Sequence, residues 1–231
     1  MTDALNADAV AKVVEAAHPL GPGFFARDPR QVARELLGKL LVRRDAEGTR
    51  AGRVVELEAY LGADDPAAHA AAGRTARNAV LFGPPGHAYV YFIYGNHFCL
   101  NVSCEPEGEA GSVLFRALEP VAGVELMAEA RGLALARLQG KAARLLTSGP
   151  GRLAQAFDIT RSRDNGKDMT APASDLVLMD DGFRPGAIAA SPRIGITKAA
   201  SKLLRYLIAG NEFVSSFPHG GGRRRGEWLK E

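Results

Sequence analysis

Apolar residues recur at every second position in some stretches of this chain and at helical spacing in others. In Val54-Val55-Glu56-Leu57-Glu58-Ala59-Tyr60 the period is two, so Glu56, Glu58 and Tyr60 fall on one side of a strand and Val55 and Leu57 on the other. Strands are predicted at Leu40 to Arg43, Arg53 to Tyr60, His87 to Tyr94, Phe98 to Cys104 and Ser112 to Leu118. Asp45-Ala46-Glu47-Gly48 and Gly95-Asn96 read as hairpin links. Asp28 followed by Pro29 is a helix start, Val32, Leu36 and Leu37 give that helix an apolar face, and Gly38 ends it. Helices are also predicted over Gly123 to Arg131 and Gly151 to Phe157. Short strands are expected at Leu176 to Met179 and Arg193 to Ile196, and one or two helical turns at Ser201 to Ile208. Asp64 to Pro85 reads as a long ordered loop with one helical turn, and Arg161 to Pro172 as a polar loop.

The strands come as adjacent hairpins and do not alternate with helices, so the expected class is α+β with a largely antiparallel sheet. No internal repeat or domain boundary is visible. The expected organisation is a loosely ordered lead over 1–20, one domain over 21–217 and a basic, flexible tail over 218–231.

Composition narrows the class. The chain has 231 residues, 46% hydrophobic and 24% charged, which excludes a disordered chain. No apolar run approaches the roughly 20 residues of a membrane span, and Asp3, Asp8, Lys12 and Glu15 break up any secretory signal. Two cysteines suit a reducing compartment, so a cytoplasmic protein is expected. The net charge of +3 is small, but its placement is uneven. Arg131, Arg137, Lys141, Arg144, Arg152, Arg161 and Arg163 face only Asp158 in that stretch, and Arg223-Arg224-Arg225 follows near the end. Such clusters attract a polyanion such as nucleic acid, or simply form a solvated face.

The chain lacks a phosphate-cradling G-x-x-x-x-G-K-[ST], a G-x-G-x-x-G and an H-E-x-x-H. Cys99 and Cys104 are five apart on one strand, hence on opposite faces, which disfavours a shared metal. Both read as small buried apolar residues, and neither a metal nor a cofactor is expected. Glu56 and Glu58 fit either a solvated strand face or a carboxylate held in a cleft beside an aromatic wall. Tyr89, Val90 and Phe92 fit a two-sided buried strand. Tyr94, at the edge of a tight turn, places a large ring where it would be exposed and asks for a partner. Asn101 shares a face with Cys99 and Ser103 and needs amide partners if buried. Arg116 interrupts an apolar run, with Glu58 as its natural counter-ion.

Several ordered blocks together carry a more specific signal. They are Val55 to Gly62, Ala68-His69, Arg74-Thr75-Ala76-Arg77-Asn78, Gly86 to Gly95 and Phe115-Arg116-Ala117-Leu118-Glu119-Pro120, then Ser148 to Leu153 and Pro192 to Ile196. In series, over residues 20–217, they strongly resemble the alkyladenine (3-methyladenine) DNA glycosylase family. The resemblance implies one α+β domain with a curved sheet, flanking helices and a hairpin that enters the DNA minor groove. It implies excision of damaged purines from double-stranded DNA by hydrolysis of the N-glycosidic bond, without a metal, by a protein expected to act as a monomer. It places Glu58 as general base and Arg116 as its helper in holding water. Tyr60, His69 and Tyr91 match the walls of the base pocket, and Asn101 the residue that senses the purine 2-position. Tyr94 matches the side chain that fills the gap left by a flipped nucleotide, and Arg152 a phosphate contact. Asn96 and His97 depart from the family's larger turn residues. The competing expectation is a non-catalytic nucleic-acid-binding module on the same sheet.

Overall fold

The computed structural model describes residues 13–93, 95 and 97–215. Short helices α1 (Pro22–Phe25) and α2 (Pro29–Leu36) precede a hairpin of β2 (Leu40–Asp45) and β3 (Gly48–Tyr60), with the two-residue strand β1 (His18–Pro19) before them. After a long loop come β4 (Ala88–Ile93), β5 (His97–Cys104) and β6 (Gly111–Ala122). Helices α3 (Val124–Ala130), α4 (Pro150–Ala156) and α5 (Arg161–Asp164) follow, then β7 (Leu176–Asp180), β8 (Ile188–Ser191) and β9 (Arg205–Ile208). The sheet runs β1-β7-β2-β3-β6-β5-β4, every pairing is antiparallel, and β8 and β9 join it along β3. The expected α+β class with a largely antiparallel sheet is what the chain adopts.

The long strand β3 organises the site. On one side it pairs with β6 over most of its length; on the other, β2 covers its first half and β9 covers Glu56 to Glu58. The second half of β3 therefore lies in mid-sheet. Alternation then divides four strands into two faces. Val55, Leu57, Ala88, Val90, Leu100, Val102, Val113 and Phe115 enter the main core with Phe25, Val32, Ala33 and Leu36 from α1 and α2. Asp28 caps α2 as the sequence predicts, accepting from the Arg30 N–H at 2.7 Å. The opposite face carries Glu56, Glu58, Tyr60, Tyr89, Tyr91, Asn101 and Arg116.

Several expectations change: Arg161–Asp164, expected within a polar loop, is the short helix α5, and Phe92, expected in a buried strand, is exposed. Residues 13–20 belong to the expected loose lead, yet Val14, Ala17 and Leu20 are buried and His18–Pro19 pairs with β7, because this segment carries apolar side chains that complete the sheet's flank. Arg193 to Ile196 is not a strand; β8 ends at Ser191. Pro192 cannot donate to a ladder and Gly195 sits at φ +76°, so the segment turns away as a strap. Ser201 to Ile208 does not form helix; Arg205–Ile208 is β9, pairing with β3 and β8, where sheet partners on both sides outweigh the local pattern. Residues beyond 215, including Phe217 and the Arg-rich tail, lie outside the described residues, as do 1–12.

Candidate active site

One register line crosses four strands: Glu58 on β3 faces Leu114 on β6, Leu114 faces Asn101 on β5, and Asn101 faces Tyr89 on β4. All four line a cavity of about 360 Å³, together with Tyr60, His69, Tyr91, Arg116 and the strap residues Ile194, Gly195 and Ile196. The sheet, with the loop that follows β3, thus brings six expected residues, Glu58, Tyr60, His69, Tyr91, Asn101 and Arg116, to one concave surface.

Glu58 is fully buried. Its Oε1 accepts from the Ile194 N–H at 2.8 Å and faces Arg116 Nη1 at 3.1 Å. Its Oε2 accepts the Tyr60 hydroxyl at 2.9 Å. A carboxylate has about four acceptor positions, so Oε2 keeps capacity for one further donor beside Tyr60. Burial, reinforced by the negative charge of Glu58, raises the Tyr60 phenol above its ordinary range and keeps it a donor. The strap that provides the Ile194 N–H is anchored one residue earlier. Arg193 forms a fully buried ion pair with Asp65, donates to the Ala59 carbonyl at 2.9 Å and lies 4.5 Å from the Tyr60 ring centroid.

A register irregularity explains Arg116. Glu56 pairs with Ala117 and Leu57 with Phe115, so Arg116 falls in a bulge between them. Its carbonyl accepts from Gly149, off the sheet. Its side chain bridges two carboxylates: Nε donates to Glu56 Oε1 at 2.9 Å while Nη1 faces Glu58.

The opposite wall is aromatic. His69 and Tyr91 meet edge to face at 4.5 Å between centroids, and Tyr89 lies 5.6 Å from Tyr91. His69 Nδ1 lies 3.0 Å from the Tyr89 hydroxyl. Burial, with the nearby Arg77 cation, lowers the His69 pKa. Asn78 fixes the loop beneath it, donating to the carbonyls of His69 and Gly73 at 2.9 and 3.0 Å. Asn101 donates to the Tyr89 carbonyl at 3.2 Å, which leaves its side-chain oxygen for the cavity.

Of the two expected DNA-contacting residues, Arg152 is exposed on α4, next to Pro150 and Gly151 at the cavity lining, and donates to Ser148 at 3.3 Å. Tyr94 and Asn96 lie outside the described residues; β4 reaches Ile93 and β5 begins at His97. The basic stretch is less free than its charge count suggests, because Arg163 is paired with Asp45, Asp158 and Asp175. Cys99 and Cys104 are both buried and unpaired, Cys104 in the core and Cys99 at the cavity. Among the described residues no group of three or more His, Cys, Asp or Glu side chains is arranged to hold a metal ion. No helix among them is long and apolar enough to cross a membrane.

Sequence reasoning did not assign a role to Glu56, Asp65, Arg193 or Arg205, the charged groups around this floor. For Glu56, Arg193 and Arg205 the available signal was charge at positions where both neighbours are apolar, as at Glu56 between Val55 and Leu57; Asp65, beside Asp64, carried none.

The family model for methylpurine-DNA glycosylase matches residues 23–212. The chain belongs to the methylpurine-DNA glycosylase family. It is therefore a DNA glycosylase, a hydrolase of N-glycosyl bonds that works in DNA repair. A protein of Koribacter versatilis named "Putative 3-methyladenine DNA glycosylase" is 66% identical over 197 residues, covering 85% of this chain and 93% of the relative. A protein of the same name from Burkholderia cenocepacia is 47% identical over 193 residues, 83% of this chain and 88% of its own. Another from Methanoculleus marisnigri is 47% identical over 206 residues, 85% and 98% of the two chains. In this glycosylase the matched span begins within α1 and runs past β9, so it takes in the whole cavity.

Proposed function

We propose that this glycosylase removes alkylated and deaminated purines, of the 3-methyladenine, 7-methylguanine and hypoxanthine class, through a water activated by Glu58. The observation that carries the reading is Glu58 itself: a carboxylate without solvent exposure, at the floor of a ring-lined cavity, with acceptor capacity left on Oε2.

A base inside a duplex is out of reach, so the nucleotide is rotated out, at a cost of a few kcal/mol. Tyr94 is assigned the wedge that takes its place, on the strength of the family resemblance around its turn position. The purine then lies against the Tyr60, His69 and Tyr91 rings. For a cationic alkylpurine, electron-rich rings contribute roughly 0.5–2 kcal/mol of cation–π attraction. Asn101 reaches the cavity from β5, where its amide disfavours the 2-amino group of normal guanine.

Cleavage builds positive charge on the sugar at C1′. Glu58 stabilises that charge across the cavity, and the water hydrogen-bonded to Oε2 loses its proton to the carboxylate as its oxygen attacks C1′. The base departs with the bonding electrons and an abasic sugar remains. A cationic base is already a good leaving group; a neutral one needs a proton. No lysine lines the cavity among the described residues, so the reading includes no amine nucleophile and no strand cleavage.

The test is release of base from duplexes carrying 3-methyladenine or hypoxanthine. The chain is expected to release both and to leave the strand intact. Glu58→Gln is expected to bind the lesion duplex and to lose about 10²–10⁴-fold in single-turnover release. Substantial release by that variant removes Glu58 from the role.

A further inference from the structure

Glu56 has no solvent exposure and does not line the cavity, yet it is tied to the residue that faces Glu58. Its Oε1 accepts from Arg116 Nε at 2.9 Å, Arg205 Nε at 2.7 Å and Ser215 Oγ at 2.8 Å. Its Oε2 accepts from the Ser215 N–H at 2.6 Å. Four donors from three separate segments thus converge on one carboxylate. Arg205 extends the network, donating to Ser191 Oγ at 3.0 Å.

We propose that Glu56 is a positioning residue of the glycosylase site: with Arg205 and Ser215 it grips Arg116 by the Nε edge, aims Nη1 at Glu58 and shares the guanidinium's charge. The inference rests on the reading of Glu58 as the water-activating group and adds what keeps Glu58 effective.

The charge arithmetic carries the argument. Glu56 and Glu58 give −2 and Arg116 and Arg205 give +2, all buried. Arg205 is bonded to Glu56, so Arg116 divides its charge between two carboxylates. Without the Glu56 charge, Arg116 has Glu58 as its one carboxylate partner among the described residues, and a second buried cation stands nearby. Opposite charge in a dry site stabilises the ionised carboxylate, and an over-stabilised carboxylate is a weaker proton acceptor. Glu56 itself stays ionised: burial opposes its charge, but Arg205 and Arg116 outweigh burial and hold its pKa below the usual range. The other groups facing Glu58 are Tyr60 on its own strand, the Ile194 N–H and Arg193 on the strap, and Cys99 on β5. None of these is bonded to Glu56, so their influence stays constant when Glu56 changes.

The experiment compares Glu56→Gln with the parent on a duplex carrying 7-methylguanine, whose cationic base needs no general acid. The low-pH limb of the rate then reports on the group that takes the water's proton. Lesion binding is expected within about twofold of the parent, release about tenfold slower, and the low-pH limb displaced downward by about half a pH unit or more. Glu56→Gln with Arg205→Met removes the charge pair together and keeps the buried charges balanced, so the test does not depend on the single variant folding. It is expected to show the same slowing and the same direction of displacement. A folded variant with the parent's rate overturns the proposal. So does a slower variant whose pH limb has not moved, since support of the fold alone gives that result. A parent chain that releases no base from any lesion duplex removes the glycosylase reading, and the inference with it.

Discussion

Tyr60 and Glu58 stand two residues apart on one face of β3, and the Tyr60 hydroxyl donates to Glu58 Oε2 at 2.9 Å. The oxygen that Tyr60 orients is also the one with room for water. Tyr60 is thus both a wall of the base pocket and a fixed donor to the group at its floor. Tyr60→Phe keeps the ring and removes the donor. A hydrogen bond to a charged group is worth about 1.5–3 kcal/mol, so base release is expected to slow by about tenfold or more while lesion binding changes less than about twofold. Single-turnover release and a gel-shift titration separate the two. Because burial and the Glu58 charge raise the Tyr60 pKa, the parent's rate is expected to show no loss from Tyr60 ionisation up to about pH 10. An alkaline limb below that, absent in the Phe variant, contradicts the donor role.

Asp65 and Arg193 form a second relationship of this kind, one that holds both walls. Asp65 accepts from the Leu61 and Ala67 N–H groups at 3.3 and 3.2 Å, at the start of the loop that leads to His69, and Arg193 starts the strap that reaches Glu58. Both side chains are fully buried. Removing one partner leaves an uncompensated charge, at a cost of about 3–5 kcal/mol. Asp65→Asn is expected to lower the thermal midpoint by about 6–20 °C, taking roughly 2–4 °C per kcal/mol for a chain of this size. Asp65→Leu with Arg193→Met is expected to lose less than Asp65→Asn alone, since no unpaired charge remains. Thermal denaturation of the two variants beside the parent checks both statements; a double variant that loses more than Asp65→Asn refutes the coupling.

Much of this was legible before the fold was known, and the reasons are local. Period two places Glu58 and Tyr60 together, and the same period on β4 and β5 places Tyr91 and Asn101. What sequence could not give is which strands flank β3. Glu56 fits a solvated face equally well until β9 is seen to cover that stretch of β3 and bring Arg205 beside it. The strap departs from its expected strand for a related reason. Arg193-Ile194-Gly195-Ile196 has strand-like alternation, but the Ile194 N–H bonds to a side chain, and no sheet neighbour takes it. Long-range contacts of this kind leave no periodic mark. His69 was legible only through resemblance, since a lone histidine in a loop of small residues carries no pattern of its own.

His69 gives a pH prediction with a definite sign. Burial and the Arg77 cation lower its folded pKa below the unfolded value of about 6.5. The unfolded chain then binds more protons than the folded one as pH falls below about 6.5. Stability linked to His69 is therefore fully present above that pH and is lost progressively on acidification towards the folded pKa. His69→Phe is expected to flatten this part of the stability profile, measured by chemical denaturation at a series of pH values. A protonated imidazole also repels a cationic purine, so binding of a 7-methylguanine duplex is expected to weaken in acid for the parent and less so for the Phe variant. Equal slopes in both proteins contradict the assignment.

Arg152 tests whether the rim of the cavity contacts the DNA backbone. It is exposed, no carboxylate among the described residues pairs with it, and its contact with the Ser148 carbonyl at 3.3 Å leaves other guanidinium donors unused. Gly151 beside it packs so closely on His97, at the start of β5, that a Cβ there would lie 2.9 Å from the imidazole. The base of α4 is thereby held against the first residue of β5, and the proposed reading assigns Arg152 a backbone phosphate. A cation that neutralises one phosphate contributes about 0.9 to the slope of log affinity against log salt. Arg152→Ala is expected to reduce that slope by about this amount and to weaken binding equally for lesion-bearing and undamaged duplexes. Titrations at several salt concentrations measure it. A loss confined to one lesion, or an unchanged slope, places Arg152 outside the backbone contact and leaves base recognition to the residues lining the cavity.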